Sequence, residues 1–195
     1  MTDLRICFLG DSLTFGQGDP TGLGWPGRVV GDALQAGAKL TGYNLGVRGD
    51  TGAQIAARAP AEVKARFRSG DAKAVTMFFG ANDIGQDLPL SDSIQALEAL
   101  LDWAAAHHLT AFVLSPPLYE NALADAKAAG MTAAFAKACA ERGVSYLDLR
   151  EAGVDWALWW AQARAGDGIH PGAEAYASLA QVFSGWSAWR TWTER

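Results

Sequence analysis

Cysteine is nearly absent from this 195-residue chain: Cys7 and Cys139 are the only two. They stand far apart, one in a strand-like and one in a helix-like stretch, which excludes a disulfide framework and any cysteine-based metal spacing. Buried thiols of a reducing, cytoplasmic compartment are the expectation. No run of Lys or Arg occurs, and the formal charge is −5, so neither nucleic acid nor an anionic membrane surface is an expected partner. Apolar runs stay well short of the ~20 residues that a bilayer requires. With a first strand beginning near Leu4, no cleavable leader is expected. Only three histidines are present, His107, His108 and His170, which narrows the search for a general base.

What is present is ordinary globular material, 50% hydrophobic and 19% charged, enough for one domain over residues 1–195 with a sizeable core. Strand patterns fall at Leu4–Leu9, Leu40–Leu45, Ala74–Phe79, Thr110–Ser115 and Val144–Leu149. Helical patterns lie between them, at Trp25–Ala36, Gly52–Arg68, Ser91–His107 and Asn121–Arg142, and a last one covers Ala173–Thr191. Pro26 suits a first helical turn, Ser91 or Asp92 caps the third helix, and Gly143 ends the fourth. Strands separated by crossover helices predict an α/β fold, a three-layer α/β/α sandwich around a parallel sheet of about five strands. Phe183, Trp186 and Trp189 recur at helical spacing and read as core.

Gly22-Leu23-Gly24-Trp25-Pro26-Gly27 matches the G-x-G-x-x-G dinucleotide fingerprint in letters only. The fingerprint directly follows a strand and leaves the backbone clear for a pyrophosphate. Here it lies well past the first strand, and Trp and Pro fill the variable positions. No cofactor and no metal are expected.

The chemistry gathers where strands end, the side on which open parallel sheets bind ligands. Leu9-Gly10-Asp11-Ser12-Leu13 closes the first strand and presents a serine at a turn. The second strand runs into Asn44-Leu45-Gly46-Val47-Arg48-Gly49-Asp50-Thr51, where a glycine lets its N–H approach a reacting group. After the third comes Phe79-Gly80-Ala81-Asn82-Asp83, and an asparagine amide there is a suitable oxyanion donor or simply a turn residue. Asp167-Gly168-Ile169-His170-Pro171 supplies a carboxylate three residues before an imidazole. That spacing lets the carboxylate accept Nδ1–H while Nε2 faces a serine hydroxyl. His107 and His108, at the end of a helix, suit solvent and the negative end of its dipole.

Taken together, Gly10-Asp11-Ser12-Leu13, Gly49, Gly80-Ala81-Asn82-Asp83 and Asp167-Gly168-Ile169-His170 resemble the four signature blocks of the SGNH hydrolases, the GDSL-type esterases and lipases. Ala81 stands where many members have a second glycine. The resemblance implies a flavodoxin-like SGNH fold and hydrolysis of small-molecule carboxylic esters through an acyl-enzyme, with lipids, thioesters, aryl esters and O-acetylated sugars all within the family's range. The lack of an obvious lid or long apolar loop favours short-acyl or acetyl esters. The resemblance implies Ser12 as nucleophile, His170 as base and then acid, and Asp167 as its orienting partner. The oxyanion donors it implies are the N–H groups of Ser12 and Gly49, with Gly46 as the fallback, and the Asn82 side chain. No G-x-S-x-G elbow surrounds Ser12, which favours this family over the larger α/β-hydrolase group. Asp11 and Asp83 are assigned to loop bracing. Trp156, Trp159 and Trp160 either wall a substrate pocket, pack their segment on the sheet, or bury a contact in a homo-oligomer. Arg48 either meets an anionic substrate or caps a loop. Two other classes share the architecture: a silent module holding an acylated ligand, and a flavin or nucleotide binder.

Overall fold

The computed structural model describes residues 2–195. In chain order the elements are β1 (Leu4–Gly10), α1 (Ser12–Phe15), α2 (Gly24–Gln35), β2 (Leu40–Gly46), α3 (Gly52–Arg66), β3 (Ala72–Phe78) and α4 (Ala81–Gly85). They continue with α5 (Leu90–Ala106), β4 (Thr110–Leu114), α6 (Ala122–Glu141), β5 (Ser145–Leu147), α7 (Trp156–Ala165), α8 (Ala173–Gly185) and α9 (Ser187–Thr193). The five strands form one parallel sheet in the order β2-β1-β3-β4-β5. Connections from β1 and β2 leave in opposite directions, so the carboxyl ends of β1 and β3 flank the crevice in which α/β sheets of this topology bind ligands.

Strand alternation divides the core in two. Leu4, Ile6 and Phe8 of β1 face the layer made by α2, α7, α8 and α9, and Cys7 and Leu9 face the layer made by α3, α5 and α6. The first layer is aromatic: the Trp25 ring meets Phe8 edge-on at 5.2 Å and packs on Phe183 at 5.3 Å. Trp25 and Pro26 of the G-x-G-x-x-G decoy are therefore core residues in the first turn of α2. Burial pushes the Cys7 thiol up to about 12 and Cys139 up to about 11, and both are free and inert. Among the described residues no helix is long and apolar enough to cross a membrane.

Several elements differ from the sequence reading. The last helix is two: α8 stops at Gly185, Trp186 adopts extended backbone (φ −67°, ψ 127°), and α9 restarts at Ser187. Trp186 is thus at a corner, half-buried against Phe112 and Phe183, and the aromatic periodicity runs straight through the break. The third long helix begins at Leu90, with Pro89 rather than Ser91 or Asp92 at its cap position, and the Ser91 hydroxyl bonds to Asp92 instead. Three helices, α1, α4 and α7, lie in stretches to which the sequence reading assigns no helix. For α7 the sequence signal is Asp155, whose carboxylate caps the Leu158 N–H at 2.9 Å.

Candidate active site

Ser12 opens α1 directly beyond β1. Asp11 caps this one-turn helix by accepting the Leu13 N–H at 2.9 Å, and Gly16 closes it with φ 93°. Gly10 has no space for a side chain: a Cβ would lie 2.3 Å from the Phe78 carbonyl oxygen of β3. Ser12 is only 7% exposed, so its hydroxyl sits at the floor of a crevice.

His170 reaches that floor from the loop between α7 and α8. Its Nε2 lies 2.8 Å from Ser12 Oγ and its Nδ1 lies 2.7 Å from Asp167 Oδ2. With Nδ1 protonated, the ring donates to the carboxylate and accepts the serine hydroxyl. Asp167 Oδ1 is held by the backbone N–H groups of His170 (2.8 Å) and Ile169 (3.0 Å). These N–H groups, the His170 ring and its charge hold the Asp167 carboxyl well below the usual carboxylate range. Asp167 is 47% exposed at its side chain, in contrast to the buried serine. The histidine loop is fixed from below. Tyr176 donates to the Gln17 carbonyl at 2.8 Å, and Gln162 Oε1 accepts the N–H groups of Gly172 (3.0 Å) and Ala175 (3.1 Å) at the start of α8.

The other strand ends converge on the same crevice. Gly49 (φ 83°) lines it, and its N–H has no acceptor among the described residues. The Gly46 N–H is committed to Asn44 Oδ1 at 2.9 Å, and a Cβ there would strike the Phe15 nitrogen at 2.2 Å. Gly46 therefore serves the packing of β2 on α1. Asn82 lies in the first turn of α4 after Gly80 (φ 116°), and its amide donates to the Asp50 carbonyl at 2.9 Å and, loosely, to Asp11 Oδ2 at 3.4 Å. Asp83 is buried and braces loops as expected: it accepts the Gly52 N–H (3.0 Å) and the Ser93 hydroxyl (2.8 Å). Asp11 is buried beside Asp83 and Asp50. Burial pushes its carboxyl up to about 7, against the pull of the Leu13 N–H.

The crevice opens into a cavity of about 900 Å³ lined by Ser12, Gly49, Asn82 and His170 at one end and by Leu118, Tyr119, Trp159, Trp160 and Ile169 along its walls. The three tryptophans part company here. Trp159 and Trp160 line the cavity, whereas Trp156 packs inward, its Nε1 donating to the Leu149 carbonyl at 3.1 Å. Arg48 also lines the cavity, next to Gly49, and Arg164 pairs with Glu120 at the rim. His107 and His108 lie far off at the end of α5, exposed, with His107 Nδ1 bonded to the Trp103 carbonyl. Residues that the sequence reading missed are Gly18, which packs under His170, and Arg58, which binds Asp50 and the Gly10 carbonyl.

A parallel α/β/α sheet with a serine, an imidazole and a carboxylate bonded in series at its carboxyl edge belongs to the hydrolase class. The chain belongs to the GDSL-like lipase/acylhydrolase family, whose pattern it matches over residues 8–177. No curated protein matches the sequence. Among solved structures it is similar to a G-D-S-L family protein from Desulfitobacterium hafniense, at 20% identity and a TM-score of 0.77, covering 92% of this chain and 97% of that one. An acetylxylan esterase from Geobacillus stearothermophilus gives 20% identity and a TM-score of 0.76 over 96% and 98% of the two chains. A psychrotrophic esterase from Pseudoalteromonas, inhibited by monoethylphosphonate, gives 18% and 0.74 over 98% and 99%.

Proposed function

We propose that this hydrolase is a serine esterase that cleaves carboxylic esters through an acyl-enzyme intermediate. The observation that carries the reading is the series Asp167 Oδ2–His170 Nδ1 at 2.7 Å and His170 Nε2–Ser12 Oγ at 2.8 Å. Ser12 Oγ attacks the ester carbonyl carbon while its proton passes to His170 Nε2. Asp167 fixes the tautomer and stabilises the imidazolium. The carbonyl oxygen becomes an oxyanion, received by the N–H groups of Ser12 and Gly49 and by the Asn82 amide. Collapse breaks the bond to the alcohol oxygen, which takes the proton from His170. Water, deprotonated by the same imidazole, then attacks the acyl-enzyme and releases the acid.

Gly49 supports its assignment by having a free N–H on the cavity, where Gly46 does not. The apolar walls around a cavity of about 900 Å³ suit an ester of small-molecule size. The esterase and acetylxylan esterase among the similar structures agree with that substrate class. We read residues 1–195 as one hydrolase unit, since Ser12 and His170 come from its two ends, and the buried free thiols suit a reducing cytoplasm.

The test is hydrolysis of p-nitrophenyl esters, from acetate upward, by wild type and Ser12→Ala, with intact mass after treatment with a serine-reactive phosphonate. Turnover and a single adduct, both lost in the variant, are the expected result. Folded wild type with neither turnover nor adduct overturns the proposal. An adduct without turnover leaves a competent nucleophile and rejects these esters as substrates.

A further inference from the structure

Arg58 lies in α3, outside every motif, yet its guanidinium reaches both loops that flank the reacting serine. Its Nε donates to Asp50 Oδ2 at 2.6 Å, one terminal nitrogen to the Gly10 carbonyl at 2.9 Å, and the other to Glu62 Oε1 at 3.3 Å. Gly10 ends β1 two residues before Ser12, and Asp50 follows Gly49. The Asp50 carbonyl in turn accepts the Asn82 amide at 2.9 Å. One planar cation thus joins the serine turn, the glycine loop and, through one peptide group, the asparagine.

Two details separate this from an ordinary ion pair. The Gly10 carbonyl already accepts the Val47 N–H at 3.1 Å, so the arginine is not needed to satisfy it. Gly49 is exposed, and a Cβ built there meets no atom within 4 Å. The direction of its N–H is therefore set by its anchors, Val47 on one side and Asp50 on the other, and the Asp50 N–H holds the loop only by a 3.3 Å bond to Val47.

Resting on the esterase reading above, we infer that Arg58 is a positioning residue: its fork sets the spacing between Ser12 and the Gly49 N–H and fixes the carbonyl that orients Asn82. A lysine keeps the charge but, as a point donor on a flexible stem, cannot hold Asp50 and Gly10 together in one plane. Displacement of reacting groups by about 1 Å costs about 10²-fold in rate.

The test uses the full chain carrying Arg58→Lys or Arg58→Ala. Expected are a fall in kcat on p-nitrophenyl acetate of about 10²-fold with KM within about threefold. Amide exchange should quicken in segments 8–13 and 46–52 while α5 and α6 keep their protection. Low-millimolar guanidinium should restore part of the turnover of Arg58→Ala. Unchanged exchange in both segments, or kcat within about threefold of an active wild type, overturns the inference. Exchange that quickens throughout the molecule, in the milder Arg58→Lys as well, also overturns it, as a purely structural effect. Loosened loops in a protein whose wild type has no turnover and no phosphonate adduct reject the esterase reading while supporting the tether.

Discussion

The Gly18 backbone passes directly beneath His170: a Cβ at Gly18 would lie 2.5 Å from the Pro171 carbonyl oxygen and 3.2 Å from the His170 Cβ. Gly18 also holds φ at 91°, a left-handed conformation that suits glycine. Gly18→Ala must therefore displace the Gly18 segment or the histidine loop, and with it the spacing between His170 and Ser12. The expected result is a loss of about 10²-fold in kcat with Ser12 still present to react slowly with phosphonate. Wild-type kcat in this variant would show that the contact does not set the imidazole.

Asn82 presents a different kind of dependence. One amide hydrogen is fixed by the Asp50 carbonyl at 2.9 Å, and the other has only the 3.4 Å contact to Asp11. The weakly held hydrogen costs little to redirect toward a developing oxyanion. Asn82→Ala should lower kcat by about 10²–10³, the usual loss for one such donor. Steady-state kinetics on the acetate ester measure it, and a loss below about threefold removes Asn82 from the oxyanion site.

Asp11 is the acid whose burial has a cost that depends on pH. Its carboxyl rises from 3.8 to about 7 in the folded protein, because burial outweighs the Leu13 N–H and Asp83 adds repulsion. A raised acid binds its proton more tightly in the native state, so stability falls as pH climbs from about 4 to about 7. Asp11→Asn cannot ionise and still accepts from Leu13. Its melting temperature should nearly match wild type at pH 4 and exceed it at pH 8 by about 10 °C, since a carboxyl raised from 3.8 to about 7 is worth about 4 kcal/mol and each 1 kcal/mol about 2–4 °C at this size. Calorimetry at the two pH values decides the point; equal melting temperatures at both contradict it.

The architecture was legible because period-2 and period-3.6 apolar patterns alternate along the chain, and every long element but α7 was found near its observed bounds. The segment Trp156–Ala165 carries Trp and Ala all round, which hides its helical period. The one-turn helices α1 and α4 are too short for any period to register. Ser12, Asn82 and His170 were legible as polar residues placed just past strands or beside a spaced carboxylate. Arg58 and Gly18 were not, because their partners lie 48 and 152 residues away in Gly10 and His170, and only the folded sheet brings them together. The choice between Gly46 and Gly49 rests likewise on Asn44, whose side chain reaches back to occupy the Gly46 N–H.

The tryptophans of α7 offer a separation of packing from specificity. Trp160 is half-buried on the cavity wall, tethered by Nε1 to the Leu118 carbonyl at 3.4 Å, while Trp156 is buried against Trp159 at 5.2 Å and bonded to Leu149. Trp160→Ala widens the cavity beside Ser12. It should raise kcat/KM for the hexanoate ester relative to the acetate by about tenfold or more, the scale of a few methylenes in an apolar pocket. Trp156→Ala should instead lower stability by about 3–5 kcal/mol, as for a core aromatic, and leave that ratio within about twofold. The ester series on both variants, with denaturant titration of each, makes the comparison. A change in the ratio confined to Trp156→Ala would place the acyl chain on the other side of α7 and refute the assignment of this wall.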